Sequence, residues 1–145
     1  MTTNAEFHEA WTTPPTPPAS DADRAAVEDC VRDYYESWFE ADGDRMGRAL
    51  HPALAKRSYG QGLDRAPELD ESTRDQMIEA ARTGWGVPRG GGEIEIRVCE
   101  VSGGIASAVA HAEHYIDYLH LIATPDGWKI INAVWRWADG HGPRG

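Results

Sequence analysis

The hydrophobic period of this chain changes once, at Gly90-Gly91-Gly92, and that change limits the fold more than any other feature. Before it, apolar residues recur at helical spacing; after it, they alternate as in half-buried strands. In the first part Val27, Cys30, Val31, Tyr34 and Trp38 form one stripe, with Tyr35 and Phe39 flanking it. Ser20-x-x-Asp23 is a capping-box variant that starts this helix, and Gly43 supplies its stop. Glu28, Asp29, Arg32, Asp33, Glu36 and Glu40 occupy the other face, where Glu28–Arg32 and Arg32–Glu36 stand as i,i+4 pairs. A second helix runs from Asp44 to about Leu50, where Pro52 forbids continuation. A third starts at Ser72-x-x-Asp75 and ends at Gly84, with Met77, Ile78 and Ala81 as its stripe. Leu54 to Leu63 is expected to hold one short strand.

The second part predicts a four-stranded antiparallel meander: Glu93 to Val101, Ile105 to Ala112, Ile116 to Thr124 and Trp128 to Trp137. With the helices this is an α+β layout, three N-terminal helices on a curved antiparallel sheet. Turn lengths set the register. A loop at 102–104 places Ile94, Ile96 and Val98 on one face with Ala106, Ala108, Ala110 and Ala112. A two-residue turn at Glu113-His114 pairs Ala110 with Asp117 and Ala108 with Leu119. A turn at Pro125-Asp126-Gly127 pairs Ala123 with Trp128, adding Ile130, Asn132 and Val134 to the same face. The helices should cover this face, with Asp117 and Asn132 pointing into volume left by the alanine column. A one-residue slip inverts any such assignment.

Charge and cysteine usage narrow the classes. The 145 residues carry a formal net charge of -10, which disfavours binding to nucleic-acid phosphates or anionic membrane surfaces. No apolar run approaches the roughly 18 residues of a membrane span. The first basic residue is Arg24, and no apolar segment precedes it, so a secretory or transit leader is not expected. Cys30 and Cys99 read as two small buried hydrophobes, and the protein as cytoplasmic. Residues 1–20, with Pro14-Pro15-Thr16-Pro17-Pro18, read as a disordered tail, 21–137 as one domain and 138–145 as a second loose end.

The order helix–helix–strand–helix–four strands resembles the nuclear-transport-factor-2-like, cystatin-type cone of the SnoaL-like superfamily. Tyr34-Tyr35-Glu36-Ser37-Trp38-Phe39-Glu40-Ala41-Asp42 and His51-Pro52-Ala53-Leu54-Ala55-Lys56-Arg57 are similar to the first third of its lumazine-binding branch. Ile116-Asp117-Tyr118-Leu119-His120-Leu121 and Asp126-Gly127-Trp128-Lys129-Ile130-Ile131-Asn132 are similar to its last two strands. The resemblance covers residues 21–137 and implies the fold. It implies no ligand, since relatives include isomerases, dehydratases, epoxide hydrolases and cyclases as well as proteins that only bind.

Asp117 is the first candidate for chemistry: a carboxylate on an apolar concave face is held neutral or hydrogen-bonded, and a raised pKa suits a general acid or base. A purely structural carboxylate is the alternative. His51, before Pro52, can share a proton with Asp117 or simply meet helix-end carbonyls. Tyr34 can polarise a substrate carbonyl, or pack in the core. Asn132, Trp128, Trp38 and Met77 are the expected substrate-binding walls. Lys56 and Arg57 can hold an anionic group at the mouth or lie on the surface. His111, His114 and His120 do not converge, so no metal site is expected, and no phosphate-cradling or cofactor motif is present.

Two functions follow. One is a cofactor-independent acid–base enzyme of dehydratase, isomerase or cyclase type, acting on a small organic molecule. The other is a non-catalytic binding module for a flat heterocycle or metabolite. The same register puts Val109, Tyr118, Ile122, Ile131, Ala133, Trp135 and Trp137 on the outer sheet face, which implies a homodimer packed sheet to sheet around Trp135.

Overall fold

The computed structural model describes residues 19–143. Helix α1 spans Asp21–Phe39, and Ser20 and Asp23 make the expected reciprocal capping box. Val27, Cys30, Val31, Tyr34 and Tyr35 form its buried stripe. The helix ends before Gly43. Ala41 takes the left-handed conformation (φ 55°), and Asp42 caps helix α2, Gly43–Ala49. Arg45 of α2 reaches back to Asp33 (2.8 Å) and Glu36 (3.1 Å) on α1. Glu36 is therefore not the partner of Arg32, which pairs with Glu28 alone.

Strand β1 follows α2 directly as Leu50–Tyr59, longer than expected. Its ladder to the last strand is irregular between Leu50 and Ala55, the stretch where Pro52 removes a backbone donor. Strand β2 is Leu69–Ser72, and helix α3 is Arg74–Arg82. The cap of α3 is Thr73 with Gln76, one residue later than the Ser72–Asp75 box, because Ser72 is still the last residue of β2.

The meander is β3 (Glu95–Ser102), β4 (Ile105–His111), β5 (Tyr115–Thr124) and β6 (Gly127–Trp137). The six strands form one sheet in the order β2-β1-β6-β5-β4-β3. Every neighbouring pair is antiparallel except β1 with β6. This is an α+β cone: three N-terminal helices packed on a curved, largely antiparallel sheet.

Two bulges decide the register. The first hairpin turns on Gly103-Gly104 alone, both at positive φ as such a tight turn demands. A bulge between Val98 and Glu100 offsets the shorter loop, so Val98 pairs with Ala108 and Ile96 with Ala110 as expected. Ala110 pairs with Asp117 and Ala108 with Leu119, also as expected. On β6 no second change compensates. Ala123 pairs with Trp128 and Leu121 with Ile130, but His120 then pairs with Asn132. Beyond that bulge the faces are exchanged: Asp117 pairs with Trp135, Leu119 with Ala133 and Tyr115 with Trp137.

The exchange overturns several expectations. Asn132 and Val134 lie on the outer face; Ala133, Trp135 and Trp137 lie on the inner one. The outer face thus loses both tryptophans, and Trp135 cannot sit on a two-fold axis there. The alanine column of β4 is filled core beneath the helices rather than open volume. Cys30 is buried, but Cys99 falls at the first bulge and is exposed. Residues 138–143, expected to be loose, are fastened to the body: Ala138 N–H donates to the His114 carbonyl (2.8 Å), and Arg89 Nη2 to the Pro143 carbonyl (3.0 Å). The proline-rich segment lies outside the described residues. No described helix is long and apolar enough to cross a membrane.

Candidate functional site

A cavity of about 720 Å³ opens between α1, α3, β1, β5 and β6, beside the alanine column rather than over it. The inner-face residues of three adjoining strands line one wall: Lys56 and Ser58 from β1, Trp135 and Trp137 from β6, Tyr115 and Asp117 from β5. Tyr34, Tyr35 and Trp38 of α1 and Met77 of α3 form the other. Adjacent residues on a helix diverge by about 100°, so Tyr34 and Tyr35 approach the sheet from two sides and meet edge to face, centroids 5.2 Å apart.

Among the described residues Asp117 is the only buried acidic residue, at 3% exposure. Its Oδ2 accepts a hydrogen bond from the Tyr35 hydroxyl. Its Oδ1 is buried with no hydrogen-bond partner. Burial raises the Asp117 carboxyl above the usual range; the Lys56 charge and the hydroxyls of Tyr35 and Tyr34 oppose this, and burial prevails. The two tyrosines are pushed well above their ordinary values, by burial first and by the Asp117 charge second, so both stay neutral donors.

Lys56 Nζ donates to the Tyr34 hydroxyl. It also lies over the Tyr34 ring (5.1 Å to the centroid) and the Trp135 ring (5.5 Å). Burial pulls the ammonium below its ordinary range, against the Asp117 charge, which holds it up. Tyr34 thus stands between an amine and a carboxyl that make no direct ion pair. Tyr115 stacks on Trp137 at 5.1 Å, and its hydroxyl accepts from Trp38 Nε1 at 3.2 Å. Arg89, which also lines the cavity, lies over the Trp137 ring, 5.0 Å from its centroid.

Of the residues expected at the site, Asp117, Tyr34, Trp38 and Met77 come together in this cavity. His51 does not: it stands in β1, and its Nδ1 accepts from the Ala53 N–H at 3.0 Å. Asn132 does not: its Nδ2 lies 3.1 Å from His120 Nδ1 on the outer face. Trp128 precedes the β6 bulge and borders a smaller recess, where its carbonyl accepts from Cys30 Sγ at 3.3 Å. That burial pushes the Cys30 thiol up to about 12. Lys56 and Arg57 separate: Lys56 faces the cavity, and Arg57 pairs outside with Glu71 at 2.9 Å. Sequence reasoning missed Tyr35 as the partner of Asp117, and missed Trp135 and Trp137 as walls. His114 meets His141 edge-on at 4.3 Å between centroids, but among the described residues no group of three or more potential ligands could hold a metal ion.

Residues 22–136 match the Putative lumazine-binding family. The chain belongs to this family. Among solved structures this lumazine-binding-family chain is similar to an NTF2-like protein of unknown function from Silicibacter pomeroyi. The TM-score is 0.68 at 18% identity, over 83% of this chain and 100% of that one. It is also similar to an NTF2-like protein from Shewanella baltica (TM-score 0.67, 14% identity, 86% and 100% covered). A Caulobacter vibrioides protein with a cystatin-like fold gives 0.61 at 14% identity, with 82% and 92% covered. At such identities these likenesses establish the NTF2-like, cystatin-like fold and nothing about chemistry. No curated protein matches the chain.

Proposed function

We propose that this protein is an acid–base enzyme of the dehydratase, isomerase or cyclase type, acting on a small, partly apolar organic molecule, with Asp117 as its proton-transfer group. The observation that carries this reading is the Asp117 carboxyl at the wall of an aromatic cavity, one oxygen held by Tyr35 and the other unpartnered. An unpartnered buried carboxylate oxygen is costly, and protonation relieves the cost. A carboxyl whose pKa is raised by burial holds a proton more readily than an ordinary aspartate, which suits it to give and take one. Tyr34 supplies a neutral hydroxyl beside it to polarise a carbonyl or a developing oxyanion. No cofactor is needed in this scheme, because the chain's own groups provide both the proton carrier and the polarising donor.

The aromatic walls favour a second reading, a non-catalytic module that stacks a flat heterocycle; the family's name points the same way. The test begins with the molecule that native mass spectrometry finds bound to the purified protein. Asp117→Asn keeps shape and removes the ionisable group. The enzymatic reading expects binding to persist while turnover falls by about 10²–10⁴. Turnover of that molecule undiminished in Asp117→Asn contradicts it, and binding without any chemistry in the wild type supports the module.

A further inference from the structure

The acid–base reading makes no use of the one amine in the cavity. The chain carries twelve arginines and only two lysines, Lys56 and Lys129. Five of the arginines, Arg32, Arg45, Arg57, Arg82 and Arg136, each meet a carboxylate. Lys56 meets none among the described residues. Its Nζ is held by a hydroxyl and two aromatic faces instead. A site that needed only a fixed positive charge is served by arginine, which does not deprotonate in proteins; lysine is the side chain that can present a free amine when desolvated. Burial acts on Lys56 in that direction.

We propose that Lys56 is a covalent nucleophile whose Nζ condenses with the aldehyde or ketone carbon of a planar aromatic ligand held in the cavity, forming an imine. The Nζ lone pair attacks the carbonyl carbon, a C–N bond forms, and the C=O π pair moves to oxygen, which takes a proton from Tyr34. The ammonium of this adduct returns a proton to Tyr34, giving a neutral carbinolamine. A second proton, from Asp117 through Tyr34, converts its hydroxyl to water. The C–O bond breaks as the nitrogen lone pair forms C=N, and loss of the remaining N–H proton to the Asp117 carboxylate leaves the imine. Carbonyl and amine are consumed, imine and one water are formed, and no oxidant or metal enters. Ser58, two residues along the same face of β1, also lines the cavity. The step narrows the substrate class of the acid–base reading to carbonyl compounds, and it rests on that reading only for the second proton.

Reductive trapping tests it. The full chain is incubated at neutral pH with naphthaldehyde and cyanoborohydride, and the adducts are mapped by peptide mass spectrometry. Lys129, whose Nζ donates to the Arg48 carbonyl outside this cavity, and the N-terminal amine are internal controls. The expected result is one adduct at Lys56, formed at least about tenfold faster than at Lys129, as an enclosed, desolvated amine allows. Lys56→Arg replaces the amine with a basic group that does not deprotonate, and should keep the fold, read by circular dichroism, while losing the fast adduct. Labelling of Lys129 as fast as Lys56 overturns the proposal, as does fast labelling that survives in Lys56→Arg. Asp117→Asn separates the two readings. A Lys56 adduct formed at an undiminished rate there, with turnover also intact, sinks the acid–base role and leaves the nucleophile standing. Absence of any Lys56 adduct in the wild type, with turnover still dependent on Asp117, does the reverse.

Discussion

The Tyr35 hydroxyl donates to Asp117 Oδ2, joining the first helix to the middle of the sheet across 82 positions of sequence. This bond serves both stability and chemistry. Among the described residues it is the one hydrogen-bond partner of this buried carboxyl. Tyr35→Phe removes it without changing shape, leaving a buried acceptor unmet. The variant should lose about 1–3 kcal/mol of unfolding free energy in urea. Its Asp117 carboxyl should titrate higher still, because the lost bond was one of the influences holding it down.

The pH dependence of stability has a definite sign. A carboxyl whose folded pKa lies above its unfolded one stabilises fully below the unfolded value, and that contribution is lost as pH rises through the folded value. Lys56, with its pKa lowered, behaves in the opposite sense, gaining as pH rises towards its unfolded value of about 10.4. In Asp117→Asn the first effect disappears, so the variant gains on the wild type as pH rises through the range in which Asp117 ionises. The melting temperature of Asp117→Asn relative to wild type should therefore climb as pH rises from about 4 towards neutrality. A gap that narrows over this range contradicts the burial assigned to Asp117.

Gly86 holds the wall of the cavity through its lack of a side chain. Its backbone angles suit any residue, but a Cβ there would come within 2.4 Å of the Trp38 carbonyl oxygen and indole ring. Backbone does not yield as a flexible side chain does. Gly86→Ala should cost about 1–3 kcal/mol as overpacking. It should also displace Trp38, breaking its bond to Tyr115, which a change in tryptophan fluorescence reports.

The exchanged faces of β6 separate two groups of variants. Anilinonaphthalene sulfonate, a planar fluorescent probe, should bind the cavity. His51→Ala and Asn132→Ala remove side chains that lie outside it, so affinity should stay within about twofold of wild type. Trp135→Ala should weaken the probe by about tenfold or more, as removal of a central aromatic contact does. Equal effects from Asn132 and Trp135 would contradict the observed register.

Turn positions and period were enough to place Asp117 opposite Ala110 on the helix-covered face, because the loop at 103–104 and the bulge at Cys99 cancel. The bulge near Ile131 was not legible. Asn132-Ala133-Val134-Trp135 alternates as well in one phase as in the other, and nothing in it marks the extra residue. That single insertion moved Asn132 out and Trp135 and Trp137 in. It also took both tryptophans off the outer sheet face, where Tyr118 and Val134 remain exposed. Strand β1 was legible only in part. His51-Pro52 reads as a helix end, and its pairing beside β6 is a long-range contact without a local signal. Once β1 lies there, alternation along the strand sends Lys56 inward and Arg57 outward, a distinction invisible in the dipeptide itself.

The most direct measurement is a ¹³C titration of the Asp117 side-chain carboxyl in protein labelled at aspartate, its resonance assigned by loss in Asp117→Asn. The account predicts a midpoint clearly above the ordinary aspartate value of about 3.9, moving higher in Tyr35→Phe. A midpoint at or below that value would mean that Asp117 is a fixed, ionised structural group, and the proton-transfer role would fall with it.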